Sequence, residues 1–213
     1  MTNSDELIEK LVTGLAPVPP QALKKRLARV VGIGVLGATV ALLASFAIRS
    51  NSHTVSVVAF FVKFAYSVGL MAMLIVALEQ IARPGGRIDG PLRIIGAIFA
   101  IMVILAMTQL VLSPSASYRG IVLGYSSLVC PFLIAAFGIP AFGANIWFLR
   151  QAAPTQPRLA GFIAGACAGA TGAWVYSWAC IENGIPFITI WYTLGILLSG
   201  LLGCLFGRIL LRW

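Results

Sequence analysis

Residues 92–112 read LRIIGAIFAIMVILAMTQLVL, with one charge, Arg93, beside the start. As a helix this run rises about 30 Å, the thickness of a bilayer's hydrocarbon core. It has no polar stripe to turn toward water, so it is not one side of a soluble amphipathic helix. Helix stoppers and turn formers flank it: Pro84, Gly85, Gly86 and Pro91 before, Ser113, Pro114, Ser115 and Gly120 after.

Working outward, five more apolar runs reach spanning length, at residues 30–48, 55–82, 121–149, 159–179 and 187–211. The second and fourth of the six exceed the minimum, which tilting or a start outside the hydrocarbon accommodates. Short breaks rich in Pro, Gly, Ser and Asn separate them. Composition agrees, since 60% of the 213 residues are hydrophobic and only 10% charged, against about 25% charged in a soluble domain. Such a chain cannot cover a water-facing surface. The expected fold is an all-α membrane protein of six transmembrane helices. Nothing between the runs is long enough to bury a core of its own, which leaves two units: a tail, residues 1–29, and a six-helix domain, residues 30–213.

The net charge of +9 does not point to nucleic acid. The basic residues cluster between apolar runs instead of lining a face with interleaved aromatics, and no direct nucleic-acid partner is expected. Such clusters set topology. With the tail inside, the inner flanks carry Lys24, Lys25, Arg26, Arg29, Arg83, Arg87, Arg93, Arg150, Arg158, Arg208 and Arg212, against Arg49 and Arg119 outside. Both termini are therefore expected in the cytoplasm of a bacterium, beneath its inner membrane. The tail carries Asp5, Glu6 and Glu9, too acidic for the n-region of a secretory leader, so no cleaved leader is expected.

Residues 3–15 pattern as a short amphipathic helix. Asn3 can cap it, and Asp5 and Glu6 favour the positive end of its dipole. Leu7, Ile8, Leu11, Val12 and Leu15 form one apolar stripe; Gly14, Pro17, Pro19 and Pro20 end it. So short a helix is marginal alone in water, and its stripe needs a cover. The membrane surface or the bundle's own end is one choice, and a groove on a cytosolic protein is the other. The acidic residues disfavour anionic lipid.

Gly161, Gly165 and Gly169 recur at four-residue spacing, as do Ser199, Gly203 and Gly207. Small residues let helices approach closely in lipid, and packing within one bundle is the expected use. Lys63 lies about 12 Å along the second run from its outer end, where a lysine can snorkel outward; no carboxylate is expected at its depth. A transport role for it would suit a small transporter or channel, the alternative function class. Several buried ionisable groups near the midplane and broken helices in matching halves, usual for such proteins, are not evident.

Cys167 and Cys204 stand mid-run beside glycines, as small packing residues. Cys130 and Cys180 fall near the outer ends of the fourth and fifth runs, on the side where oxidants and metals arrive first. Packing and sensing are both open to them. With Glu182 and His53 they could form a soft-metal site. No C-x-x-C occurs, which weighs against a quinone-linked thiol oxidoreductase. No nucleophile–base pair or phosphate-binding glycine loop is present, so neither enzyme activity nor a cofactor is expected.

Several motifs in order carry a resemblance. They are Asp5-Glu6-Leu7-Ile8 with Leu11 and Leu15-Ala16-Pro17-Val18, then Ala153-Pro154-Thr155-x-Pro157 before Leu159-Ala160-Gly161. Cys180-x-Glu182, Pro186-Phe187, Trp191-Tyr192-x-x-Gly195-Ile196, Leu205-x-Gly207-Arg208 and Leu211-Arg212-Trp213 follow. In these the chain resembles the NrsF-type membrane anti-sigma factors of proteobacteria, over essentially its full length. The resemblance implies six helices and a cytosolic N-terminus that sequesters an extracytoplasmic-function (ECF) sigma factor. It also implies that the family's paired cysteines, implicated in responses to oxidants and metals, fall on Cys130 and Cys180. Where the family often has His before the second cysteine, Ala179 stands here.

Overall fold

A computed structural model describes residues 21–46, 56–83, 85–152 and 154–211, with Glu6, Ile8, Glu9 and Thr13 of the tail. All regular structure among the described residues is helical. In chain order the helices are α1 (Ala22–Phe46), α2 (Val57–Ile81), α3 (Asp89–Leu112), the short α4 (Tyr118–Leu123), α5 (Cys130–Ala152), α6 (Pro157–Ser177) and α7 (Ile185–Leu210). All but α4 are long and apolar enough to cross a membrane.

Two boundaries differ from the hydropathy pattern. Helix α1 starts at Ala22 and not at residue 30, because lysine, arginine and leucine are good helix formers and the prolines stop at Pro20. Its first turns therefore carry Lys24, Lys25, Arg26 and Arg29. The fourth apolar run is two helices. Gly124 leaves α4 at φ +54, a left-handed conformation that favours glycine, and a polar turn over residues 124–129 precedes α5.

Helix α6 is the axis of the bundle. Nearly every residue from Ala160 to Ala173 is Ala, Gly, Cys or Thr, and almost all are buried. The least hydrophobic of the six long helices is thus the most enclosed; with no outer face to cover, it needs small side chains more than greasy ones. On one side it meets α7 in antiparallel fashion. A Cβ added to Gly161 would lie 2.3 Å from the Gly203 carbonyl oxygen, one on Gly165 2.2 Å from that of Ser199, and one on Gly203 2.2 Å from that of Gly161. On the other side it meets α5, where a Cβ on Gly172 would lie 2.1 Å from the Ile134 carbonyl oxygen. The two small-residue stripes pack inside the bundle, as expected from their spacing, and they do so on each other.

Helix α1 lies along α5, with Gly37 against Pro140 and Gly34 against Ala141. Helix α2 packs on α6, and α3 is peripheral, touching α2 and the start of α7. Large apolar side chains point outward, among them Ile33, Leu36, Val40 and Leu43 on α1, Ile101, Ile104 and Val111 on α3, and Leu201, Leu205 and Ile209 on α7. Such a surface needs an apolar surrounding. The alternation of helices gives the bundle two unlike ends. At the basic end Arg26 donates to the Gln151 amide oxygen and Arg150 to the Leu210 carbonyl, while Glu79 pairs with Arg83. The other end holds α4, the 124–129 turn and the 178–184 segment.

Candidate functional site

That second end brings Cys130 and Cys180 together. Cys130 is the first residue of α5, its N–H bonded to the Ser126 carbonyl at 2.8 Å. Cys180 follows the final turn of α6, its N–H on the Tyr176 carbonyl at 2.9 Å. Both are buried thiols with no disulfide, and both belong to one apolar cluster with Phe137, Tyr176 and Tyr192. The 124–129 turn runs into Cys130, and the 178–184 segment contains Cys180.

Those loops are pinned from several directions. The Ser56 N–H bonds the Asn183 side chain, the Ile185 N–H bonds the Gln109 side chain, and Trp191 Nε1 bonds the Val122 carbonyl. Glu182 is the central clamp. Its Oε1 accepts from the N–H of Tyr125 at 2.7 Å, the N–H of Ser126 at 3.1 Å and the Ser126 hydroxyl at 3.0 Å. The segment after α6 is thereby tied to the turn that leads into Cys130.

Lys63 departs from its expected position. It does not snorkel outward: it is fully buried, and its Nζ donates to the Cys180 carbonyl at 2.8 Å. A carboxylate does lie nearby, since Glu182 is within electrostatic reach, together with both thiols. Rise along the helix gives depth but not direction. The buried face of α2 includes Ala59, Lys63, Tyr66, Ser67, Leu70 and Leu74. That four-and-three spacing, beginning with small and polar residues, was the sequence feature that could have turned Lys63 inward.

The start of α7 adds a further element. Residues Ile188–Tyr192 form a π-helical turn, a feature frequent at functional sites. It carries Tyr192 fully into the core, 6.0 Å ring to ring from Tyr176. The Tyr192 hydroxyl lies beside Cys180. One residue on, Thr193 Oγ1 and the Tyr66 hydroxyl are 2.7 Å apart.

No group of three or more His, Cys, Asp or Glu among the described residues could hold a metal ion. Of the metal candidates Cys130, Cys180, Glu182 and His53, the last lies outside the described residues. So do Asp5, Leu7, Leu11, Val12 and Leu15 of the tail. Glu6, Ile8, Glu9 and Thr13 are helical and exposed, and the Thr13 hydroxyl bonds the Glu9 carbonyl one turn back.

Six long apolar helices agree with the resemblance read from the motifs, and comparison with known proteins decides it. A family model described as "Negative regulator of sigma F", NrsF, matches residues 11–213. The chain belongs to the NrsF family. One NrsF relative, the "Probable anti-sigma-F factor NrsF" of Azospira oryzae, is 34% identical over 211 residues, with 99% of each chain covered. A second, the "Anti-sigma-F factor NrsF" of Caulobacter vibrioides, is 34% identical over 217 residues at the same coverage. No solved structure matches. The NrsF match begins at Leu11, within the apolar stripe, and takes in the whole bundle. By its description the family is one of regulators.

Proposed function

We propose that this chain is a multi-pass anti-sigma factor of the bacterial inner membrane, which holds an ECF sigma factor through its cytosolic N-terminus. Membership of the NrsF family over almost the whole length carries this reading. The lopsided distribution of Lys and Arg supports a basic end in the cytoplasm and a thiol end toward the periplasm. Leu7, Ile8, Leu11, Val12 and Leu15 dock on a sigma domain as helical anchors. Asp5, Glu6 and Glu9 speed the encounter with a basic surface.

Release begins at Cys130 and Cys180. A two-electron oxidant removes two electrons and two protons as the Sγ atoms join; alternatively a soft metal ion displaces the thiol protons and binds sulfur. Either change strains a close-packed end, and it releases the partner only if it favours a bundle arrangement in which the tail binds weakly. A small transporter or channel has less support, because the lysine on which transport would depend is sealed against a main-chain carbonyl.

The deciding experiment co-purifies the full chain, in detergent, with a co-expressed ECF sigma factor from the same organism. The sigma factor is expected to remain bound and to be lost when residues 1–20 are removed. Equal recovery with and without those residues would defeat the reading.

A further inference from the structure

Lys63 and Glu182 are the charged side chains buried among the described residues. They come from distant parts of the chain and meet at the thiol pair. Burying an ammonium and a carboxylate in an apolar bundle is costly, and packing alone does not call for it. Each holds one thiol-bearing segment. Lys63 takes the Cys180 carbonyl. Glu182 takes the backbone at Tyr125 and Ser126, and the Ser126 carbonyl in turn receives the Cys130 N–H.

We propose that Lys63 and Glu182 are positioning residues for the two thiols, and that Lys63 makes α2 the helix that registers a change there. The proposal rests on the anti-sigma reading above and names how its signal leaves the thiol end. The other end of α2 supplies Leu78, Ile81 and Ala82 to a second buried cluster that includes Leu27 and Val30 of α1. Those residues lie in the first three turns of α1, about 22 Å along α2 from Lys63. If the Cys180 backbone shifts, Lys63 either follows and carries α2 with it, or loses its main-chain acceptor and is left as an unpaired buried charge. Both raise the free energy of the resting arrangement relative to one with α2 displaced.

The test uses the full chain in membranes with Cys167→Ser and Cys204→Ser, so that maleimide reports on Cys130 and Cys180 alone. Lys63→Met keeps the length of the side chain and removes charge and donor; Lys63→Arg keeps both. Lys63→Met and Glu182→Gln are each expected to speed labelling about tenfold by opening the loops, and Lys63→Arg to stay near the parent rate. Combining Lys63→Met with Glu182→Gln should give less than the product of the single effects, because no unpaired charge remains. Val76→Ala, on the exposed face of the same helix, should leave the rate unchanged. Unchanged labelling in Lys63→Met, multiplicative effects in the double variant, or Lys63→Arg behaving like Lys63→Met would each overturn the positioning role. Should Lys63→Met fail to accumulate, the rates of Lys63→Arg, Glu182→Gln and the double variant decide the positioning role in its place: a tenfold rise in Lys63→Arg, or no rise in Glu182→Gln, would overturn it.

Retention of the co-expressed sigma factor, read in parallel, should fall in Lys63→Met without any inducer. Faster labelling with full retention would overturn the relay through α2. A parent chain that retains no sigma factor would instead sink the anti-sigma reading and leave the labelling result intact.

Discussion

The carboxylate of Glu182 occupies the space into which a side chain at Gly124 would project. An added Cβ would lie 2.4 Å from Oε2, at a residue whose φ is already +54. The bare face of this glycine lets the carboxylate rise beneath the turn, where Oε1 collects the next two N–H groups. That arrangement ends α4 and delays α5 until Cys130.

Gly124→Ala therefore meets a clash and an unfavourable backbone conformation, worth about 1–2 kcal/mol for the conformation alone. Thermal unfolding in detergent should move down by several degrees, and maleimide should reach Cys130 faster than in the parent. An unaltered midpoint with unaltered labelling would show that the clamp is not needed.

Glycines inside the bundle should separate cleanly from those outside it. Gly203→Val forces side-chain atoms against the Gly161 carbonyl and should cost about 1–3 kcal/mol or prevent accumulation. Gly96 and Gly143 have nothing near an added Cβ, so alanine at either should be neutral or stabilising by about 0.5–1 kcal/mol. Comparable losses at all three positions would contradict the packing described.

The thiols should divide in the same way. Cys130→Ser or Cys180→Ser should blunt induction of a sigma-dependent reporter by oxidant or metal. Cys167→Ser should not, since that buried thiol lies mid-way along α6, away from the loops. Equal effects at the three would defeat the assignment of sensing to Cys130 and Cys180.

Leu11→Asp places a charge in the centre of the apolar stripe. Sigma retention should be abolished, a loss of tenfold or more for about 1.4 kcal/mol of anchoring, while insertion in the membrane fraction is unchanged. Binding that survives would remove the stripe as the anchor.

Much of this architecture was legible in the sequence, because a residue run's hydropathy reports whether it can face an apolar surrounding. All six long helices were readable, as was the use of Gly161, Gly165, Ser199 and Gly203 for packing within the bundle, though not that the two stripes meet each other. Direction around a helix axis was not. Lys63 has the depth of a snorkelling lysine but the face of a core residue, and only the neighbours at positions 59, 66 and 67 hint at which. The Glu182 clamp was hidden for a different reason: its partners are backbone N–H groups some fifty-seven positions earlier, and main-chain donors leave no mark in an amino-acid string. The early start of α1 was missed because a hydropathy window closes at the first arginine, whereas helix formation does not.

The π-helical turn at Ile188–Tyr192 has a consequence for how α7 tolerates change in length. An i to i+5 ring holds one residue more than an α-helical turn. Because the wider ring takes up that extra residue, removing one there, Ile190 for instance, would restore ordinary winding and leave the two flanks nearly in phase. Ser199, Gly203 and Gly207 would still meet α6, whereas the same deletion further along α7 would turn one side by about 100° relative to the other and part that contact. The start of this rod is thus the place where its length can change by a residue without its smooth groove losing its neighbour.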